Sequence, residues 1–114
     1  MPDKNEKDRR KSLLHAQREE QRQTVREGLP VPAAMMKALF KHIDMRLSSS
    51  ECDNSLRYAK EFIRANGLPE EALVVWLKNA GGYCDCEAIF NAEETLEEAI
   101  PGYRDLPPPS GIRE

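Results

Sequence analysis

Gly81-Gly82-Tyr83-Cys84-Asp85-Cys86-Glu87 is the stretch on which the reading of this chain turns. It holds two of the three cysteines and the chain's one Gly-Gly pair, with two carboxylates interleaved among the thiols. Upstream, Pro69 with Glu70 and Glu71 predicts a helix start, because proline suits a first helical turn and acids face the positive end of the helix dipole. Leu73, Trp76, Leu77 and Ala80 then fall on one helical face, with Trp76 as an expected core anchor. Gly81 is the expected left-handed stop of that helix. Downstream, Ile89 and Phe90 predict a short β element near residues 84–90. Asn91 and Glu94 have the spacing of a capping box for a last helix to about Ile100, stopped by Pro101-Gly102.

Further outward, Cys52-Asp53-Asn54-Ser55-Leu56-Arg57 precedes another amphipathic segment. Asp53 or Asn54 is the expected cap, Leu56, Ala59, Phe62 and Ile63 the buried face, and Asn66-Gly67 the stop. Taken together, this run, Trp76-Leu77, residues 81–87 and Asn91 resemble a family of small bacterial proteins catalogued as domain of unknown function 2695. The resemblance spans about residues 33–92. That family carries no assigned activity, so the resemblance implies kinship and no reaction. In the family pattern a histidine stands where this chain has Asn54, which removes one donor from any metal set.

Three readings of the cysteines stay open. Cys52, Cys84 and Cys86 form an incomplete zinc set, since zinc takes four ligands. Asp85, Glu87, Asp53, His42 or water would have to supply the fourth. The same thiols read as redox groups only where their surroundings favour a thiolate. Asp85 and Glu87 oppose that at Cys84 and Cys86, and Cys52, just before a helix start, is better placed. The third and favoured reading makes all three thiols small buried groups, as free cysteines usually are. Gly81-Gly82 then lets the backbone pass close to the helix of residues 53–65, and Asp85 or Glu87 accepts from nearby N–H groups. No cofactor is expected on that reading, with zinc as the alternative.

The remaining chain adds a helix from Pro32 to about Leu47, with Met36, Leu39, Phe40, Ile43 and Leu47 in one stripe. His42 lies one position off that stripe and is expected partly buried or at the surface. Residues 3–27 are polar, with Leu13, Leu14, Ala16 and Val25 too sparse to dock a helix. The basic cluster Lys7, Arg9, Arg10 and Lys11 is diluted by acids and lacks aromatic partners, so nucleic acid is not an expected ligand. His15 lies in the same arm. Pro107-Pro108-Pro109-Ser110-Gly111 reads as an extended tail without a core.

Mean hydropathy is −0.69, with 39% hydrophobic and 32% charged residues, which describes a modest core. No apolar run approaches the roughly 18 residues of a membrane span, and the charged N-terminus carries no signal segment, so a cytoplasmic location is expected. Residues 1–67 carry 14 Lys/Arg against 10 Asp/Glu, whereas residues 68–114 carry 3 against 10. No nucleophile motif or phosphate loop is present. The expected architecture is mainly α: a small helical domain with the β element near residues 84–90 and disordered termini, α+β being the variant. Its parts are a charged arm, helical or disordered, at 1–29, a globular helical domain at 30–103 and a Pro-rich flexible tail at 104–114. The expected function is a non-enzymatic binding or scaffold module for a protein partner, with Tyr83, Asp85 and Glu87 as its motif surface and an oligomeric state the sequence leaves open. The alternative is a zinc-binding or thiol-dependent protein using Cys52, Cys84 and Cys86.

Overall fold

In a computed structural model, residues 23–112 are described. They form helices α1 (Ala33–Ser49), α2 (Arg57–Ala65) and α3 (Glu70–Asn79), then a longer helix, α4, over residues 85–99. Helix α4 is α-helical at Asp85–Glu87, π-helical at Ala88–Ala92 and α-helical again at Glu93–Ala99. The backbone stays right-handed helical through both joints, at Glu87 (φ −67°, ψ −31°) and Ala92 (φ −72°, ψ −42°). A 3₁₀ turn at Tyr103–Asp105 follows.

The hydrophobic spacing explains α1, whose Met36, Leu39, Phe40 and Ile43 are fully buried while Leu47 is only half-buried. Helix α2 is nine residues long, too short to persist in water without tertiary support. It buries Tyr58, Ala59, Phe62 and Ile63 against α1. At its end Gly67 is left-handed (φ +62°), and Leu68 N–H donates to Ile63 O at 3.0 Å. That is the stop expected from Asn66-Gly67. Helix α3 ends the same way at Gly81 (φ +89°), with Gly82 N–H on Leu77 O at 2.7 Å. Leu73 and Leu77 are its buried residues. Trp76 is only half-buried, at the edge of the core rather than anchoring it, because α3 packs through the narrow face carrying those leucines.

Three expectations are corrected. The β element near residues 84–90 is absent, and no strand occurs among the described residues. Small Ala88 and Ala92 lie fully buried on the inner face of α4, and a helix brings both inward together with Leu96 at the same four-residue spacing. Consequently the last helix starts at Asp85, six residues before the capping-box position at Asn91. Asn91 instead donates its side-chain amide to Gly81 O at 3.0 Å, tying α4 to the end of α3.

The packing also reaches beyond residues 30–103 at both ends. Residues 23–27 form a helical turn whose Val25 lies against the core, and Arg26 donates to Ala99 O at 2.7 Å, at the C-terminal end of α4. After the 3₁₀ turn, Leu106 and Ile112 pack back on the core, and Lys37 Nζ donates to Arg104 O and Leu106 O at 2.6 and 2.8 Å. The Pro-rich stretch is therefore anchored on both sides, although its own residues are mostly exposed. The basic cluster and His15 lie outside the described residues.

Candidate functional site

The 81–87 run bridges the end of α3 and the start of α4. Gly82 sits where a Cβ would meet Ala88 Cα at 3.0 Å and Leu77 O at 3.1 Å, so only glycine lets α4 begin this close to α3. The Gly-Gly pair therefore admits α4, not the helix of residues 53–65. Cys84 is extended (φ −144°, ψ 173°), and the helix starts immediately after it. Cys84 and Cys86 thus stand at the positive end of α4, and not beyond the negative end of α3 as their place after Gly81 suggests.

Asp85 is fully buried. Its carboxylate accepts from the backbone N–H of Tyr58 (3.0 Å, Oδ2) and of Ala59 (3.1 Å, Oδ1). These are the second and third residues of α2, whose first-turn donors have no partner within the helix. A side chain from α4 thus supplies the cap that sequence spacing assigns to Asp53 or Asn54. Asp53 turns instead to Ser55, whose N–H it accepts at 3.1 Å, and Asn54 is left-handed (φ +67°). The Asp85 N–H completes the bridge by donating to Ser55 O at 3.0 Å. Burial pushes the Asp85 carboxyl above its usual range, against the pull of the two α2 donors. The motif surface accordingly loses Asp85 to the interior, while Tyr83 (61% exposed) and Glu87 face outward. Further along α4, Phe90 is 73% exposed, a position the strand reading spends on the β element.

Bridging by Asp85 brings the cysteines together. The Cys52 thiol lies in interaction range of both the Cys84 and Cys86 thiols and of the backbone N–H groups of Cys86 and Asn54. Burial pushes the Cys52 thiol up, but those donors together outweigh it and hold the thiol below its ordinary value. Cys84 is pushed up by burial, and Cys86 by its hydrogen bond to Cys52 and then by burial. Only Cys84 is buried; Cys52 and Cys86 are partly buried, which corrects the reading of all three as buried filling. Cys52 and Cys86 share an open, shallow pocket of about 400 Å³ with Leu47, Glu51 and the Ser48-Ser49-Ser50 run. In sequence those serines mark only the end of α1.

Among the described residues, no group of three or more His, Cys, Asp or Glu side chains is arranged to hold a metal ion. His42, named as a fourth donor, is committed elsewhere. It is buried on α1 against the Phe62 ring (5.4 Å between centroids), with Nε2 at 3.0 Å from Glu61 Oε1. Its position off the apolar stripe conceals that burial.

The sequence profile of the family described as protein of unknown function (DUF2695) matches residues 39–91, which span the core of α1 through the first half of α4. The uncharacterized protein Rv2271 of Mycobacterium tuberculosis is 32% identical over 97 residues, covering 85% of this chain and 95% of that protein. The uncharacterized protein Mb2294 of Mycobacterium bovis matches to the same extent. The chain belongs to the DUF2695 family. No solved structure matches this DUF2695 protein. No helix among its described residues is long and apolar enough to cross a membrane.

Proposed function

We propose that this chain is a non-enzymatic module whose working groups are the three thiols, with Cys52 the first to react. The observation that carries this reading is the meeting of Cys52 with Cys84 and Cys86, across a long sequence separation and beside an open pocket. A thiolate is the nucleophilic form, and the N–H groups facing Cys52 favour it. Cys84 is withdrawn from solvent, and Asp85, which stands between the other two in sequence, holds α2 instead of meeting a ligand. Tyr83 and Glu87 border the same turn as outward-facing residues and form the surface a protein partner would meet beside the thiols.

Timed alkylation with iodoacetamide at neutral pH, read by peptide mass spectrometry, tests this function. Cys52 should be modified first, ahead of Cys86 and well ahead of Cys84. Alkylation of Cys84 as fast as Cys52 would sink the reading. So would stoichiometric zinc in the purified, untagged protein, because the thiols would then be ligands instead of free reactive groups.

A further inference from the structure

We propose that Cys52 and Cys86 close into a reversible disulfide when the chain meets a hydroperoxide, Cys52 attacking and Cys86 resolving. The proposal rests on the thiol reading above and adds the oxidant, the pairing and the outcome. Geometry selects the pair. Both cysteines line the pocket of about 400 Å³ and are only partly buried, whereas Cys84 is buried and absent from the pocket wall. The two backbones are already held side by side, since Asp85 N–H donates to Ser55 O at 3.0 Å and Cys52 faces the N–H of Cys86 itself. The junction that brings the two segments together is thus built before oxidation. The cap on α2 keeps it there, because Asp85 is the residue next to Cys86.

The chemistry balances with hydrogen peroxide as the oxidant. The Cys52 thiolate attacks one peroxide oxygen, the O–O bond breaks, and the departing hydroxide takes a proton to become water. Cys52 is left as a sulfenic acid. Cys86 loses its proton and attacks the Cys52 sulfur, so the S–S bond forms as the S–O bond breaks, and the second hydroxide leaves as water with that proton. Two thiols are oxidised and one peroxide is reduced to two waters. A thiol reductant reverses the change by exchange through a mixed disulfide. The backbone donors that favour the Cys52 thiolate also suit it to the attacking role.

The test uses the full chain, reduced, desalted and treated with hydrogen peroxide at low excess. Non-reducing peptide mapping should show a Cys52–Cys86 link within one chain, lighter by two hydrogens and lost on adding dithiothreitol. Cys84→Ala should still form the Cys52–Cys86 link and no other, because the new S–S bond joins the other two sulfurs. Cys86→Ser should stop at the sulfenic acid, trapped on Cys52 by dimedone. A Cys52–Cys84 link, a link between two chains, or Cys52 carried to the sulfinic acid without any link would each overturn the proposal. Peptide mapping of the unmutated chain separates these outcomes by itself, whatever the variants do to folding. If Cys52 alkylates first yet no 52–86 link forms, this inference fails and the thiol reading stands. If Cys52 alkylates no faster than Cys84, the thiol reading itself fails.

Discussion

At the scale of the residue, Asp85 carries the greatest structural consequence. A buried carboxylate with each oxygen on a separate N–H has no isosteric replacement that accepts at both atoms. Asparagine keeps one acceptor and turns an NH₂ toward the other donor, so Asp85→Asn should cost about 1–3 kcal/mol, the penalty of a buried donor left unpaired. Chemical denaturation would read this as a lower midpoint at unchanged slope, and a variant as stable as the parent would remove Asp85 from the cap. Burial raises this carboxyl above its usual range. Burial likewise raises Glu93, which accepts from the Tyr103 hydroxyl at 2.9 Å, with Glu97 and Asp44 adding repulsion. Acids raised by folding bind protons on folding. Their contribution is complete below the ordinary values of 3.8 and 4.5 and is lost as pH climbs through the raised ones. Asp53 and Glu70 are shifted the other way, but both are solvated and weigh little. The melting temperature should therefore fall as pH rises from the ordinary carboxyl values of 3.8 and 4.5 toward neutrality, with Glu93→Gln flattening the slope. A melting temperature that rises steadily toward alkaline pH would contradict the sign. Asp85 as an acceptor of N–H groups was legible in the sequence, from its place between two thiols near a turn. Its burial was not, because no local pattern shows that a side chain will serve a helix 27 residues upstream.

At the scale of the element, the two glycines between α3 and α4 do different work and should fail differently. Gly81 holds a left-handed backbone, and a Cβ there meets Asn91 Cβ at 3.2 Å, a contact that a shift of a few tenths of an ångström relieves. Alanine at Gly81 should cost about 1 kcal/mol, mostly from conformation. At Gly82 the obstacles are the Ala88 backbone at 3.0 Å and the Leu77 carbonyl at 3.1 Å. Alanine there forces α4 away from α3 and should cost more, about 1–3 kcal/mol as overpacking does. Thermal melts of the two variants check the order, and a milder Gly82→Ala would show that α4 shifts freely. Helix ends were easy to read in this chain, because glycine in the left-handed region leaves a local mark at both Gly67 and Gly81. The start of α4 was hidden, since Ile89 and Phe90 favour a strand and Cys84, which precedes the helix, is no capping residue. What overrides that propensity is tertiary: buried alanines under α1, and an outward face that leaves Phe90 in solvent.

At the scale of the whole molecule, the ends of the described chain close over the helices. Arg26 meets the carbonyl of Ala99, one of the last-turn acceptors that a helix cannot satisfy itself. Arg26→Ala should therefore lower the melting temperature by about 4–8 °C, the shift that one kcal/mol gives in a domain of this size. An unchanged melting temperature would mean that water replaces the guanidinium without loss. Sparse apolar residues concealed this docking, because one valine and one arginine suffice where no amphipathic stripe exists. The buried faces of α1, α2 and α3 were readable from periodicity, and the straps were not, since each depends on a side chain reaching a distant carbonyl. The Asp85 bridge has a bearing on the order of assembly as well. During synthesis the first turn of α2 emerges long before residue 85, so its amides must stay hydrated or frayed until α4 is made. Docking of that fourth helix, and not completion of α2 itself, is then the step that gives the first turn of α2 its cap.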